Sequence, residues 1–581
     1  MCGNYYYSYI FISSYIKCFP SKAKQTKPNR KFNVVSVSTK PPLAAKMECW
    51  ACSKHKSFLC WLLMLMMIHI LIMAEHTQGD CVEEERKALL EIKTSYMKSY
   101  GSEIDNFLPT WVDYGGGTPG DGGSNCCDWE RINCSTTTGH VTKLSLYNLI
   151  GVEDVYMDNE SKLWPLNVSL FLHFKELTSL NLSHNSLDKE FMKSGLERLS
   201  SLKKLEVLDL SFNFDIDNNI LPSLMTLTSL KVLDLSNTSL NGNFPTNEFA
   251  ALENLEVLDL SYCGFNGTFE VQGSERVSRL RKLKSLNLAG NWFNESVITS
   301  LSILSSLTNL DLSRNPMSGP FPALELSHLT NLEELDLSET GLNGTPNIQD
   351  CKTLSRLKRL KSINLSDNNF NKSIISCLTA LPSLKILDLT SSFSWGSSFP
   401  VQEFLNLSDL EVLLLSSNGF NGTIPIEAFA SFRHLEVLDL SGNSFVGSVP
   451  SAIQALSSLR ALSFARNKLN GSLPDHGLCE LKNLHELDLS NNMLHGTLPQ
   501  CLKNLSSLKL LDISSNQFSG ILKPSLIANL TSLEYIDFSH NKFEGSFSFS
   551  SLSNHIKLEV VQFRSSIHNK KALSQLQGWH P

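Results

Sequence analysis

Along most of the chain, leucines stand two residues apart with a polar residue between them, and the pattern returns at a near-constant period. The phrase LDLSxN reads LDLSFN (208–213), LDLSRN (310–315), LDLSGN (438–443) and LDLSNN (487–492). Looser copies are LNLSHN (180–185), LNLAGN (286–291), INLSDN (363–368) and LDISSN (511–516). The last position of the phrase falls at 185, 213, 238, 263, 291, 315, 340, 368, 392, 418, 443, 467, 492, 516 and 541, in steps of 24 to 28. Degenerate copies at Leu144/Leu146 and Val561/Phe563 bring the total to about seventeen. Residues two apart on a strand share a face, so Leu208 and Leu210 point one way and Asp209 the other. A single strand cannot bury its leucines, but stacked coils do, at about 1.5–3 kcal/mol per side chain. The pattern therefore predicts a parallel sheet with one strand per repeat, about 75–80 Å long at ~4.8 Å per strand. Asn at the last position turns the chain inward, and its buried amide needs partners on the backbone of the neighbouring coil. Eleven of the fifteen aligned copies keep Asn, while Thr238, Cys263, Thr340 and Ser392 replace it with small side chains that still hydrogen-bond, Cys weakly.

A second signature follows the first: NGTIP (421–425), GSVP (447–450), NGSLP (470–474) and HGTLP (495–499). Pro after a Gly turn closes strand or helix pairing. The combination L-x-x-L-x-L-x-x-N at this period resembles the leucine-rich repeat, and the xGxIP segment resembles its plant-specific subfamily. The resemblance implies an α/β solenoid, a right-handed leucine-rich-repeat superhelix of horseshoe form with a parallel concave sheet. The basic stretches RLSSLKK (198–204), RVSRLRKLK (276–284) and RLKRLK (356–361) alternate leucines with charges at helical spacing, and each predicts a convex-side helix with a solvated face. Asp209, Asp234, Asp259, Asp311, Asp336, Asp388, Asp439, Asp488, Asp512 and Asp537 form a column on the concave strand face. It reads as a regular solvated stripe, and at most as a weak acidic field for basic peptides.

Ahead of the repeats, Asp80 is placed to cap a helix whose first turn holds Glu83, Glu84 and Glu85. Ala88, Leu89, Ile92 and Tyr96 give that helix an apolar side, and Gly101 ends it. Trp111, a glycine-rich loop and CCDWERINC (126–134) follow. A repeat stack needs a cap of this kind, because its end otherwise exposes core. Four cysteines in so short a block, Cys81, Cys126, Cys127 and Cys134, are how small secreted modules are stapled, and four cysteines allow three pairings. The order Cys, helix, Trp, CCxW, Cys resembles the N-terminal cap of plant leucine-rich-repeat receptors. That resemblance implies the disulfides Cys81–Cys126 and Cys127–Cys134. With cap and repeats together, residues 47 to about 565 resemble the plant receptor-like proteins, cell-surface receptors that carry further repeats, a membrane helix and a short tail without a kinase.

Residues 58–74, FLCWLLMLMMIHILIMA, follow Lys54 and Lys56 and precede a polar stretch, as in a secretory signal peptide started at Met47. Translation from Met1 would make them an internal signal anchor, since seventeen apolar residues are at the short edge of a membrane span. The domains expected are an unstructured extension (1–46), a signal peptide or anchor (47–79), the cysteine cap (80–136), the repeats (137–566) and an irregular tail (567–581). The tail has no closing cap, so the chain reads as a product truncated before its C-terminal repeats and membrane helix. Contact with a membrane is then expected only through residues 58–74 or a missing C-terminal helix.

Chemistry narrows the reading further. A net charge of −7 without long like-charged blocks after residue 46 argues against a nucleic-acid partner. The GxGxxG match at Gly115–Gly120 lies in the cap loop, with no strand before it or helix after it, and reads as plain loop. No metal-protease, P-loop or kinase motif is present, and no catalytic residue, metal or cofactor is expected. His184 and His540 read as solvent-facing. Cys351 with Cys377, and Cys479 with Cys501, occupy similar places in adjacent repeats, which leaves cross-links and free buried thiols equally open. Fifteen N-x-S/T sequons point away from the cytosol. Six of them, Asn266, Asn294, Asn343, Asn371, Asn421 and Asn470, fall three residues after the ladder position and line up along one edge, which glycans would shield. Asn181, Asn237 and Asn364 lie on the strand face, where a glycan would bar ligand. The most varied exposed position is the one before the ladder, and it supplies the ligand-binding candidates Tyr262, Arg314, Glu339, Asp367, Arg466 and His540, with Trp292 and Trp395 as aromatic additions. The function expected is ligand recognition for a plant receptor-like protein in defence or development, at the outer face of the plasma membrane or in the apoplast. A peptide, protein or glycan is the ligand and a receptor kinase the signalling partner. A secreted inhibitor of a foreign cell-wall hydrolase such as polygalacturonase is the alternative.

Overall fold

The computed structural model describes residues 80–100, 107–112, 125–149, 163–188, 191, 195–267, 278–393, 398–545 and 552–563. A compact unit begins at Gly79, and its spine is an 18-stranded sheet. β1 (Ile132–Cys134) runs antiparallel to β2 (Val141–Ser145). After β2 the remaining strands follow in chain order, each parallel to the last, from Ser179–Asn181 to Val560–Gln562. Leu208 pairs with Leu180 before it and Leu233 after it, so the leucines of successive coils form one buried file.

The phrase LDLSxN resolves position by position. Its leucines are core, as Leu208 and Leu210 show. Its aspartate is not a solvated stripe. In all ten repeats that carry it, one carboxylate oxygen accepts the backbone N–H of the residue two further on, at 2.7–3.0 Å. The strand has ended there, and the side chain supplies the acceptor that a neighbouring strand no longer does. Asp439 and Asp537 are buried and the other eight half-buried. The next variable residue has φ between +52° and +64° in all fifteen copies. A side chain in that left-handed region costs roughly 1–2 kcal/mol. The ladder residue that follows offsets it. Asn315 donates to the carbonyls of Leu288 and Leu312, both at 2.9 Å, and accepts the Phe293 N–H at 3.0 Å. Thr238, Ser392 and Cys263 keep a carbonyl partner each: Leu235, Leu365 and Leu235 respectively.

Beyond the ladder, the xGxIP segments do more than turn. Asn421–Thr423, Ser444–Gly447, Lys468–Gly471, Met493–Gly496, Gln517–Ile521 and Lys542–Glu544 pair in parallel as a second, six-stranded sheet. Shorter pairs, Gly242–Asn243 with Phe265–Asn266 and Asn343–Gly344 with Asn369–Phe370, continue that side into the earlier repeats. Among the described residues, most coils then carry a short helix of three to six residues, such as Ser296–Leu301 and Ser373–Leu378. The basic stretches are helical only in part: the 3-10 helices Leu196–Ser201 and Lys352–Arg356 end inside two of them, and residues 278–284 of the third form turns. Their last lysines instead pair with glutamates one repeat back, Lys204 with Glu176, Lys284 with Glu256 and Lys361 with Glu333.

In the cap, α1 (Glu83–Tyr100) starts beyond Asp80, so that residue does not cap it. Ala88, Leu89, Ile92 and Tyr96 are buried. Tyr96 stacks on Phe107 at 4.5 Å and meets Trp164 edge-on at 5.2 Å, while Trp111 lies 5.7 Å from Trp129. Buried Glu85 bonds to His140 Nδ1 at 2.9 Å and accepts the Val141 N–H at 2.8 Å, tying α1 to β2. Disulfides join Cys81 to Cys126 and Cys127 to Cys134. Cys351–Cys377 and Cys479–Cys501 are also bonded, which settles in favour of cross-links the choice left open above. Cys263 is free and buried, and burial pushes its thiol up to about 11.

Candidate ligand-binding surface

The left-handed residue before each ladder position is held by the sheet itself. Its N–H bonds to the next coil, as Tyr262 does to Ala289 O at 2.8 Å and Arg314 to Ser338 O at 2.9 Å. These residues therefore form one row beside the ends of the main strands, at the spacing of the sheet. The structure brings four of the candidates together in it. Arg314 Nη1 donates to the Tyr262 hydroxyl at 2.7 Å, two coils back, and Arg314 Nε donates to Glu339 at 2.9 Å, one coil on. Glu339 and burial together raise the Asp367 carboxyl, burial being the larger cause. The coil between Tyr262 and Arg314 carries Gly290. A Cβ built there would lie 2.4 Å from the Tyr262 ring, so the reach to Arg314 exists because that residue has no side chain. Sequence reasoning passed over Gly290, although a glycine in a column of large residues is the visible sign.

At the N-terminal end the same row is aromatic. His184 stacks on Phe212 at 3.9 Å and meets Tyr147 edge-on at 5.1 Å. His184 is half-buried rather than solvent-facing, and burial lowers its pKa. Arg466 and His540 are exposed in the C-terminal part of the row, several coils from the Tyr262 group. Trp292 is not on the concave side. It follows the buried ladder residue Asn291 and pairs with Asn266 on the side of the second sheet, where it is 66 % exposed. Trp395 lies outside the described residues, as does the Gly115–Gly120 loop.

The acid column sets the electrostatics of the concave face. Burial first, then Asp259 and Asp209 on either side, raise Asp234 to about 7. Asp512, between Asp488 and Asp537, is raised in the same way, whereas Asp311, with Asn287 on one side, reaches about 6. In three coils Asn stands in the column and donates to a neighbouring aspartate: Asn181 to Asp209 at 2.6 Å, Asn287 to Asp259 and Asn364 to Asp336, both at 2.9 Å. Asn181 and Asn364 are strand-face sequon residues, and these bonds engage the nitrogen to which a sugar would attach. Asn237 lies past the strand, at the left-handed position. The six edge sequons Asn266, Asn294, Asn343, Asn371, Asn421 and Asn470 are all exposed and stand on the second-sheet side.

Opposite them, ahead of the main strands, runs an ion-pair row: Lys231–Glu206, Lys284–Glu256, Lys361–Glu333, Lys385–Glu411, Arg460–Glu436 and Lys509–Glu534. Each exposed pair is worth about 0–1 kcal/mol. Among the described residues, the metal-like cluster of Cys81, Cys126 and Cys127 is taken up by disulfides.

Residues 210–425 match the model of a leucine-rich repeat region, residues 408–469 and 482–543 that of the leucine rich repeat, and residues 82–135 that of the leucine rich repeat N-terminal domain. Receptor like protein 21 of Arabidopsis thaliana is 33% identical over 320 residues, 55% of this chain and 23% of that protein. Putative receptor-like protein 8 of the same plant is 34% identical over 343 residues, 55% of this chain and 25% of its own length. The chain thus spans about a quarter of the length of the curated relatives it matches. A solved leucine-rich-repeat protein of Leptospira interrogans superposes with a TM-score of 0.52 at 26% identity, over 72% of this chain and 95% of that one.

Proposed function

We propose that this chain, which belongs to the leucine-rich-repeat proteins and is similar to plant receptor-like proteins, recognises an extracellular ligand for a receptor that signals through a partner kinase. The observation that carries this reading is the Tyr262–Arg314–Glu339 group, an ordered set of large polar side chains on a sheet whose apolar side chains are committed to the core. Such a set is pre-organised, so a ligand need not pay its ordering entropy again. Four disulfides among the described residues and fifteen sequons in the sequence support an extracellular setting, at the plasma membrane or in the apoplast. The class of activity is binding, not catalysis. The ligand is a peptide, a protein or a glycan, and the pathway is one of defence or development.

The test uses the full chain secreted from plant cells. Fractionated apoplastic peptides and glycans are screened by the thermal shift they cause, and hits are repeated on Arg314→Ala and Tyr262→Ala. The expected result is a hit that raises wild-type Tm, loses at least tenfold in affinity on Arg314→Ala (about 1.4 kcal/mol) and recruits a receptor-kinase ectodomain. Equal binding by both variants would remove the concave group from the reading, and inhibition of a polygalacturonase by the chain would replace the receptor role with the inhibitor role.

A further inference from the structure

Trp292 is the most exposed aromatic side chain among the described residues, at 66 %, and its neighbours in sequence explain its direction. Asn291 and Phe293 point inward and are buried, so the strand alternation turns Trp292 out. One coil earlier the same alternation buries Phe265 and exposes Asn266. The two outward residues are register partners: they form a parallel bridge, with the Trp292 N–H bonded to Phe265 O at 2.7 Å. Partners in a parallel ladder face the same way, on the order of 5 Å apart. Asn266 heads the sequon Asn266-Gly267-Thr268. An indole face left in water next to a glycan attachment point has an occupant within reach.

We propose that Asn266 is N-glycosylated and that the first N-acetylglucosamine packs its C–H face on the Trp292 indole. A pyranose ring is about as wide as one strand spacing, so a sugar on Asn266 that leans toward the next coil covers the indole. The aromatic face is electronegative and attracts the polarised C–H groups of the sugar, while the sugar hydroxyls remain in water. Trp292 is then a glycan platform that orders the shield on the second-sheet edge, and it is withdrawn from ligand binding. The register repeats the arrangement once in the C-terminal half, where Asn470 pairs with exposed Met493, a smaller apolar partner. Asn421 pairs with Ser444 and has no such platform. The inference rests on the extracellular reading above.

The test is intact-glycopeptide mapping of the full chain secreted from plant cells, combined with hydroxyl-radical footprinting of Trp292. The expected result is an occupied Asn266, low labelling of Trp292, a several-fold rise in that labelling in Asn266→Gln, and no change in Asn421→Gln. Exposed Phe214 is the internal reference, labelled equally in all three proteins. An Asn266 left bare while other edge sequons carry glycans overturns the proposal, and so does equal labelling of Trp292 in wild type and Asn266→Gln. A chain bare at every sequon overturns the extracellular reading as well.

Discussion

Each residue of LDLSxN solves one problem left by the one before it. The strand ends after the aspartate, the aspartate accepts the next free amide, the left-handed residue turns the chain, and the ladder side chain meets the carbonyls exposed by the turn. Aspartates at strand spacing repel one another, and Asp234 has one on each side. Its pKa rises from 3.8 to about 7, so between those values the folded state holds the proton more tightly than the unfolded chain. Stability from this group is complete below the lower value and is lost as pH rises through the upper one. We expect wild-type Tm to fall between about pH 5 and about pH 7.5, and Asp234→Ser to fall less over the same range in scanning calorimetry. Ser is chosen because it already stands at this place as Ser463, whereas Asn would create a sequon with Ser236. Gly290 gives a second expectation. Gly290→Ala places a methyl on the Tyr262 ring at φ +64°, and chemical denaturation should show a loss of roughly 1–3 kcal/mol. The leucine and asparagine positions were legible in the sequence because each recurs unchanged. The left-handed turn was not, because the position that makes it varies freely and contains only two glycines, Gly290 and Gly442.

At the level of elements, the coil is closed on three sides by different means. The main strands pair through their backbones, the second sheet pairs the xGxIP segments, and two disulfides join neighbouring turns. The second sheet was missed in the sequence because NG and GSVP report turns, and strands of two to five residues carry little alternation of their own. The basic stretches misled in the other direction, since leucines at helical spacing also suit a turn that packs two leucines and pairs its lysine with the coil before. Cys479–Cys501 closes a segment with a sequence separation of 22. Loop closure of that length is worth about 3 kcal/mol. Replacing both cysteines by serine should raise amide exchange across residues 478–504 while leaving the coils before Gly442 unchanged, as mass-spectrometric hydrogen exchange would show.

For the whole molecule, the backbone pairing of the main sheet links each coil to its neighbours, and the Arg314–Tyr262 bond is a side-chain reach across one intervening coil, so stability is largely a sum of coil and interface contributions and the cap decides how the first coil ends. Glu85 is the polar centre of that junction, buried and bonded to both His140 and Val141. Glu85→Ala leaves the Val141 amide without its acceptor, a cost of about 1–3 kcal/mol. Because the coils are coupled in series, exchange should rise in β2 and the strand Ser179–Asn181 and fade within a few coils, with the strands after residue 400 unaffected. Uniform loss of protection along the chain would contradict neighbour-only coupling.

By itself, the sequence determined the repeat, its period, the inward file of leucines, the buried ladder and the cap, because each is an equal solution to the same burial problem repeated at every coil. Tertiary structure alone decided what depends on the distance between coils. It placed Tyr262 against Arg314 across Gly290, moved Trp292 from the concave face to the side of Asn266, turned a column of acids into amide caps with raised pKa values, and closed Cys351–Cys377 and Cys479–Cys501. Those pairs are 22 to 52 residues apart in the chain and side by side only after stacking, where hydrogen bonding and desolvation act on separations of a few ångströms.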